Sequence, residues 1–546
     1  MAQSAPLAQL RAAVHDAAAD VVDTAGVELP PIRVERSRHA DQGDYATNVA
    51  MTLTPVLKRA PRDIAERVGA ALARRLGEDL VRYEIAGPGF VNLFLSDGWH
   101  RGVLRAVLEA GERYGAGGAE PAHRVLIEFV SANPTAPLVA ASGQHAAYGD
   151  ALARILQHHG HTVWREYYFN DAGTQITLLG QSVQARARGE EPPEGGYQGD
   201  YIHDLAAAIP GVSDLSVEEA AARTVAMLLT KIKATLERYG VHYDQFFSER
   251  TLHEGSPSYL DRALAAVDGH TYHADGALWL RTTSFGDDKD RVLQRSTGQP
   301  TYFAADLGYL LQKRERGFDL QLLPLGADHH GYMGRMKAAF AALGGEPDEL
   351  EMPILQFVHL VEGGERAAMS KRRGDFVTLD ELIDEIGVDA TRFFMLQRSP
   401  DRTIDIDLDL ARRESAENPV YYVQYAHARI VTMLGKLDAD RVGRAVDGGA
   451  PDWGEHALHG AERDLLKALV AFPEEVAEAA ERRAPHRIAG YALELAQVFT
   501  AFYRDCHVVG AEPEAVESFR IALSQAARQM LKLALWLLGV GAPDAM

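Results

Sequence analysis

The chain has 546 residues, of which 47% are hydrophobic and 24% are charged, and its formal net charge at pH 7 is −21. This composition is that of a globular protein of several folding units, and it excludes a disordered or disulfide-rich chain. The strong negative charge also argues against indiscriminate binding to nucleic acid, because the field of the whole molecule repels phosphate groups.

At the start of the chain, Met1 to Leu10 lack the basic segment followed by an apolar segment that marks a secretory signal. No stretch of the sequence is long and apolar enough to predict a membrane span. We therefore expect a cytoplasmic protein without a membrane partner.

Residues 1–115 are predicted to form a small α+β domain. A helical period runs from Leu7 to Val22. A second helix is predicted from Pro61 to Gly77, because proline is typical of a first helical turn and glycine of a C-terminal cap. Apolar residues on both sides of a Gly-Pro-Gly turn between Tyr83 and Leu95 predict two paired strands.

A doubly wound parallel sheet is predicted for residues 116–395. Val125 to Val130 is an almost entirely apolar run, as expected of a strand buried on both faces. A loop and a helix from about Gly143 to Gln157 follow, and this order places a ligand site beyond the carboxyl end of the strand. Proline and glycine residues interrupt the pattern within 186–265, where we expect an insertion. Further strands are predicted at Thr162–Phe169, Ala277–Thr282, Leu320–Leu325 and Ile354–Leu360.

Residues 396–546 are predicted to be a linker and an all-α bundle. After about Ser415 the strand patterns end, and apolar residues such as Tyr491 and Leu495 recur at helical spacing. The bundle has no sustained heptad repeat, so we expect a monomer. The single cysteine, Cys506, can form neither an internal disulfide nor a thiolate zinc cluster, so structural zinc is not expected.

The loop after the first strand of the predicted sheet contains Asn133-Pro134-Thr135 and leads into a helix at Ser142-Gly143. A helix N-terminus presents unpaired amides and a positive dipole end, which suit a phosphate or carboxylate ligand. Ser142 has two interpretations at this point, since it is either a ligand contact or a plain N-cap.

A second candidate site is the basic segment Ala368 to Gly374, which contains Met369, Ser370 and Lys371. Small residues beside clustered cations suit a loop that closes on a triphosphate and stabilises the charge of the leaving pyrophosphate. A solvated basic loop is the alternative interpretation, and composition alone favours it.

Longer segments in all three predicted domains carry a family resemblance. These segments are Gly43–Asn48, Gly87–Asn92, Glu128–Thr135, Gly149–Leu156, Tyr167–Gly173, Tyr302–Asp306, Gly326–Tyr332, Met369–Leu379 and Asn418–Ala426. They resemble bacterial arginyl-tRNA synthetases, which are class I synthetases, and the resemblance runs nearly from end to end.

The resemblance implies a class I fold, with an N-terminal domain that contacts the tRNA elbow and a C-terminal helical domain that binds the anticodon. It implies a ligation in two steps. L-arginine and ATP, accompanied by Mg²⁺, give arginyl-adenylate and pyrophosphate, and the arginyl group then passes to the 3′ end of tRNA(Arg). In this family the first step also requires bound tRNA.

The resemblance also implies roles for particular residues. Glu128, Asn133, Tyr302 and Asp306 match the residues that hold substrate arginine. The chemistry agrees, because a guanidinium group pairs with planar carboxylates.

The implied catalytic residues are Lys371, Ser370 and Ser142, of which Lys371 matches a lysine that binds pyrophosphate in the transition state. The implied ATP contacts are Pro134, Ser142, Gly143, Gly326, Asp328, His329, Met369 and Lys371. No metal ligands are implied. Asp328-His329-His330 resembles a metal motif in its letters only, because its flanking glycines fit the adenosine site of this family better.

The sequence departs from the family where two histidines, separated by two residues, normally hydrogen-bond the ATP phosphates. Val139 and Ser142 stand at these positions. Losing one such preorganised donor costs about 2.7 to 4 kcal/mol, or roughly 100- to 1000-fold in rate. Ser142 still offers one donor. Gln144 or His145 could lean toward the site, although a surface or packing role is the simpler interpretation of His145.

Two functions remain open. The first is a working arginine-tRNA ligase that tolerates the altered signature, and the retained arginine pocket and Lys371 favour it. The second is a synthetase-like paralogue that binds tRNA or arginine in a regulatory role, and Val139 and Ser142 favour it. A third function, transfer of an arginyl group to another acceptor, is supported only by the same two substitutions, Val139 and Ser142.

Overall fold

The computed structural model of the chain describes residues 5–22, 29, 31–37, 39–366, 377–447 and 453–546. The candidate site at Met369, Ser370 and Lys371 lies outside these residues. None of the described helices has both the length and the apolar character that a membrane crossing requires.

The N-terminal part is an antiparallel sheet packed against helices. Its helices are α1 (Pro6–Val22), α2 (Val49–Leu57), α3 (Pro61–Leu76) and α4 (Asp97–Ala110), and its strands are β1 (Val34–Arg36), β2 (Tyr45–Thr47), β3 (Leu80–Ala86) and β4 (Phe90–Leu95). The strand order is β1-β2-β4-β3. The two predicted helices and the predicted strand pair are confirmed. Helix α3 ends where Gly77 takes a positive φ of 53° as its C-cap.

Parallel strands form the main sheet of the middle part. The strands of this part are β5 (Arg124–Glu128), β6 (Thr162–Phe169), β7 (Gln245–Ser248), β8 (Thr271–Ala274), β9 (Ala277–Leu280), β10 (Arg291–Gln294), β11 (Leu320–Leu322), β12 (Leu325–Gly326), β13 (Leu350–Glu351), β14 (Ile354–Leu355), β15 (Val358–Glu362), β16 (Glu365–Arg366) and β17 (Ile404–Asp407). The main sheet has the order β13-β11-β5-β6-β7, and every neighbouring pair is parallel. Its central strand β5 buries Val125 and Ile127 completely. The predicted parallel sheet is confirmed.

Helices connect these strands. They are α5 (Ala140–His159), α6 (Thr174–Ala187), α7 (Asp200–Ala208), α8 (Val217–Arg238), α9 (Tyr259–Ala266), α10 (Tyr302–Glu315), α11 (Met333–Ala342), α12 (Leu379–Leu396) and α13 (Leu408–Ala411). Helices α6, α7 and α8 enclose an apolar cluster of their own, which includes Leu179, Leu205 and Leu228. Strand β7 also falls within the predicted insertion range 186–265, and it pairs with β6 of the main sheet.

Strand β5 ends two residues before the predicted strand does. Val130 and Ser131 take positive φ values of 66° and 41° and turn the chain out of the sheet. Such backbone conformations cost about 1–3 kcal/mol for residues other than glycine, and they persist only where surrounding contacts hold them. Here the Ser131 hydroxyl donates to Glu128 Oε1 over 3.1 Å and accepts from the Tyr168 amide over 3.1 Å.

Three other predicted strands differ in detail from the structure. The strand predicted at 277–282 exists as β9, but it pairs antiparallel with β8 and β10 outside the main sheet. The segment 320–325 is divided into β11 and β12 by Pro324, which has no amide to donate. The segment 354–360 is also divided, since β14 pairs with β12 and β15 pairs with β17 in another sheet.

The C-terminal part is helical, as predicted. Its helices are α14 (Pro419–Leu434), α15 (Ala439–Val446), α16 (Gly460–Glu481), α17 (His486–Asp505) and α18 (Glu514–Leu537). Phe472, Phe499 and Phe519 are among its fully buried side chains. The apolar core is continuous from the N-terminal part through the main sheet into this bundle.

One buried guanidinium joins the middle part to the bundle. Arg392 of α12 is fully buried and donates to Asp150 Oδ2 over 2.6 Å. It also donates to the carbonyl oxygens of Tyr239 and Leu538, each over 3.0 Å. Since these partners lie on α5 and at the ends of α8 and α18, a single side chain connects α12 to three other helices.

Candidate active site

A pocket of about 200 Å³ opens beyond the carboxyl ends of β5, β6 and β7, where ligands of doubly wound sheets bind. It brings together three of the predicted arginine-binding residues, namely Asn133, Tyr302 and Asp306. The residues that line it are Asn133, Tyr168, Asn170, Ala172, Gln175, Ile176, Glu249, Tyr302, Ala305 and Asp306.

The pocket is acidic. Asp306 accepts a hydrogen bond from the Tyr332 hydroxyl, and its burial raises the pKa of its carboxyl to about 6. Glu249 accepts a hydrogen bond from the Tyr168 hydroxyl over 2.5 Å, and burial raises the pKa of its carboxyl as well. None of the described residues that line the pocket is a lysine or an arginine. The pocket is therefore suited to a cationic ligand.

Glu249 is a pocket residue that the sequence analysis missed. It directly follows β7 and occupies the same relative place as Asn170 directly after β6. The sequence feature that could have identified Glu249 was the short apolar run Phe246-Phe247 followed by a polar residue. That signal was obscured because the segment falls within the range predicted as an insertion.

Glu128 lies beside the pocket rather than among its lining residues. Its Oε2 accepts a hydrogen bond from the ammonium group of Lys313, which is fully buried, and its Oε1 accepts one from Ser131. The charge of Glu128 nevertheless contributes to the raised pKa of Asp306. Lys313, which the sequence analysis did not single out, thus neutralises one of the predicted arginine-binding carboxylates.

The remaining predicted arginine contacts border the pocket opening. The Asn133 side chain donates to Gln175 Oε1 over 3.3 Å and accepts from the Asn170 amide over 3.4 Å. Tyr302 begins α10 and is 65% exposed, so its ring is available to cover a ligand. These contacts hold Asn133 at the point where the loop after β5 meets the end of β6.

Helix α5 begins earlier than predicted. Val139 is its N-cap and makes no side-chain capping bond, so the helix start near Gly143 and the N-cap interpretation of Ser142 were both wrong. The cause is a distant segment. The Ala140 amide donates to the Val377 carbonyl over 2.9 Å, and Val139 forms a β-bridge with Thr378. Because this pairing satisfies a first-turn amide, no polar N-cap is required.

Two other predicted ATP contacts near this helix are enclosed by protein. Pro134 is buried in the loop after β5. A Cβ atom on Gly143 would lie 2.8 Å from Leu379 Cδ1, so this glycine packs closely against α12. Ser142 lies in the first turn of α5 and is partly buried.

The predicted adenosine segment forms a corner at the end of β12. A Cβ atom on Gly326 would lie 2.6 Å from Asp328 Oδ1 and 3.9 Å from His145 Nε2, so both side chains lie close to this glycine. The side chains of Asp328 and His329 are exposed and 3.6 Å apart. His145 thus lies against this corner.

The corner and the pocket are linked. Residues 327–332 form a 3-10 helix after Gly326, and its last residue, Tyr332, reaches Asp306. Among the residues that the structure describes, no group of three or more His, Cys, Asp or Glu side chains is arranged to hold a metal ion. The site therefore combines an acidic pocket with an adjoining corner at a helix N-terminus.

Family models match three ranges of the chain. Residues 8–95 match the arginyl-tRNA synthetase N-terminal domain, residues 213–428 match the class I tRNA synthetase (R) catalytic domain, and residues 423–546 match the DALR anticodon-binding domain. The three ranges do not include residues 96–212, which contain β5 and α5 with Val139 and Ser142.

Curated relatives are similar over nearly the whole chain. An arginine-tRNA ligase of Frankia alni is 46% identical and covers 94% of this chain and 95% of its own length. An arginine-tRNA ligase of Kineococcus radiotolerans is 44% identical over 99% of this chain and 100% of its own length. The solved structure of Thermus thermophilus arginyl-tRNA synthetase shares the fold, with a TM-score of 0.76 at 24% identity over 98% of this chain and 100% of that one.

Proposed function

The chain belongs to the arginyl-tRNA synthetase family, and from this premise we propose that it activates L-arginine with ATP and attaches it to the 3′ end of tRNA(Arg). The observation that carries the proposal is the acidic pocket at the carboxyl edge of the parallel sheet. Its carboxylates, Asp306 and Glu249, are matched in charge to a guanidinium and an α-ammonium group.

In the first step a carboxylate oxygen of arginine attacks the α-phosphorus of ATP, and pyrophosphate leaves with its electron pair. The pocket holds the amino acid, and the start of α5 and the Gly326 corner adjoin it for the nucleotide, which binds as its Mg²⁺ complex. In the second step a hydroxyl of the terminal ribose of tRNA attacks the arginyl carbonyl, and AMP leaves. Positioning of this kind accounts for a large part of such rate enhancements.

Several predicted roles form part of the proposal. Lys371 contacts the leaving pyrophosphate, Ser370 is a further catalytic residue and Met369 contacts ATP. Ser142 contributes a hydroxyl from the first turn of α5. Residues 1–115 contact the tRNA elbow, residues 116–395 with the insertion 186–265 carry the chemistry, and residues 396–546 bind the anticodon. A monomer in the cytoplasm remains the prediction.

A second candidate function is a regulatory paralogue that binds tRNA or arginine without charging tRNA. One observation favours it: Val139, at the start of α5, is 8% exposed and offers no side-chain donor to a phosphate. The retained acidic pocket is common to both functions, so arginine binding alone does not separate them.

The separating experiment is ATP–pyrophosphate exchange by the purified chain with arginine and cognate tRNA. Exchange that depends on arginine, and that lysine does not replace, supports the ligase. Absence of exchange in a protein that still binds tRNA overturns the ligase and supports the paralogue. The variant Val139→His with Ser142→His provides a further comparison, since added donors are expected to increase the exchange rate.

A further inference from the structure

His145 lies beside the site, and the sequence analysis assigned it no ligand contact. It lies in the second turn of α5, three residues after Ser142, so the two side chains share a helix face. Its Nε2 is 3.9 Å from the position that a Cβ atom on Gly326 would take. The imidazole therefore lies between the start of α5 and the corner formed by Gly326 and Asp328.

The polar groups of this imidazole are available for a ligand. Among the described residues, none makes a hydrogen bond to either ring nitrogen of His145. Burial lowers the pKa of the imidazole to about 4, and the charged groups acting on it are Asp328, which raises the pKa, and His329, which lowers it. At neutral pH the ring is therefore uncharged and carries one N–H donor and one acceptor.

A packing role explains these facts less well. A histidine used only for packing is expected to satisfy its nitrogens within the protein, because a buried polar group without a partner costs about 1–3 kcal/mol. His427 satisfies one nitrogen in this way, since its Nδ1 is 2.9 Å from the Pro543 carbonyl oxygen, while its Nε2 has no hydrogen-bond partner among the described residues. His145 instead faces an acidic and glycine-lined corner with exposed side chains.

We propose that His145 donates a hydrogen bond to the phosphates of ATP from the second turn of α5, and so supplies an imidazole donor that Val139 at the helix start does not. This inference rests on the proposed ligase function. It names a nucleotide-contacting residue one helical turn further along α5 than the altered signature.

The test compares His145→Ala with His145→Gln, which keeps a side-chain N–H donor, and with His242→Ala as the matched control. The side chain of His242 is 62% exposed and pairs with Glu237. Steady-state pyrophosphate exchange at varied ATP gives kcat/KM for ATP. We expect a loss of roughly 100-fold in the alanine variant, from the removal of one preorganised donor. We expect partial recovery in the glutamine variant and no change in the control.

Two readouts separate this role from packing. KM for arginine and the thermal midpoint are expected to be unchanged in both His145 variants. If kcat/KM for ATP in His145→Ala stays within about twofold of the unmodified protein, the proposal is overturned. It is equally overturned if the alanine and glutamine variants lose activity equally and both lose thermal stability, because that pattern is expected of a packing residue.

A binding measurement distinguishes failure of this inference from failure of the ligase function. Titration with a non-hydrolysable ATP analogue and Mg²⁺ reports on His145 even in a protein that catalyses no exchange. Weaker analogue binding by His145→Ala than by His242→Ala supports the proposed contact. Equal binding by these two variants overturns it, whatever the exchange assay shows.

Discussion

The Tyr332 hydroxyl donates a hydrogen bond to Asp306. Tyr332 ends the segment that begins at the Gly326 corner, whereas Asp306 lies in the acidic pocket. The contact therefore ties the nucleotide side of the site to the amino-acid side. Its effect on Asp306 is electrostatic, because a hydrogen bond to a carboxylate favours the charged form.

Tyr332→Phe is expected to shift the pH dependence of arginine use. Burial raises the pKa of Asp306 to about 6, and the bond from Tyr332 opposes this rise. Since the charged carboxylate binds the guanidinium, kcat/KM for arginine falls as the pH drops through the pKa. In Tyr332→Phe the pKa is higher, so the fall begins at a higher pH. The check is kcat/KM for arginine measured across the range around pH 6.

The control for this prediction is Tyr272→Phe, on strand β8 of the separate antiparallel sheet. Its pH profile is expected to match that of the unmodified chain. A Tyr332→Phe profile superimposable on the control would contradict the assigned link between Tyr332 and Asp306.

Asp306→Ala is expected to raise the KM for arginine sharply and to leave tRNA affinity nearly unchanged. Removing a hydrogen-bond partner of a charged group costs about 1.5–3 kcal/mol, which corresponds to a factor of roughly 10 to 100. Steady-state exchange gives the KM, and a filter-binding titration gives the tRNA affinity. Equal losses of arginine and tRNA affinity would count against the pocket role.

Glu249→Gln, like Asp306→Ala, is expected to weaken arginine binding, because it removes the second negative charge of the pocket. The isosteric amide keeps an acceptor for Tyr168, so folding should be little affected. Glu254→Gln is the matched control, since Glu254 is exposed and does not line the pocket. Isothermal titration with arginine in the presence of tRNA measures the arginine affinity of each variant. The same affinity in the two variants would remove Glu249 from the site.

Arg392→Ala is expected to destabilise the fold strongly. It removes the fully buried partner of Asp150 and the donor to the Tyr239 and Leu538 carbonyls, although Arg154 and Arg165 still contact Asp150. Breaking a buried pair costs up to about 3–5 kcal/mol. Arg413→Ala removes an exposed ion pair with Glu417 and is expected to cost about 0–1 kcal/mol. Urea denaturation compares the two variants. Equal midpoints would show that the buried network does not stabilise the native state.

The main sheet was predictable because its strongest signal is local. The apolar run from Val125 is buried on both faces, and only a parallel sheet readily accommodates such a strand. The helical C-terminal part was predictable for the same reason, since apolar residues recur there at helical spacing. In contrast, β9 is a short strand whose sequence does not specify its partners, and it pairs antiparallel outside the main sheet.

The features that were missed depend on contacts between distant parts of the chain. The start of α5 is set by Val377 and Thr378, so the search for a polar N-cap led to Ser142 instead. His145 on α5 lies next to Gly326 on β12, and these two residues are far apart in the sequence. No periodicity or cap pattern contains that information, whereas the family resemblance supplied Asn133, Tyr302 and Asp306 directly.

The three bonds of Arg392 also bear on how the protein is made. Leu538, whose carbonyl accepts one of these bonds, is synthesised 146 residues after Arg392. The ribosome therefore releases all the strands of the main sheet before Leu538 is synthesised. Until then the buried Arg392 guanidinium lacks one of its three acceptors. Because such long-range contacts form late and slowly, nascent chains are expected to pass through a stage in which the sheet is formed but not yet locked. Chaperone capture would be most effective at that stage.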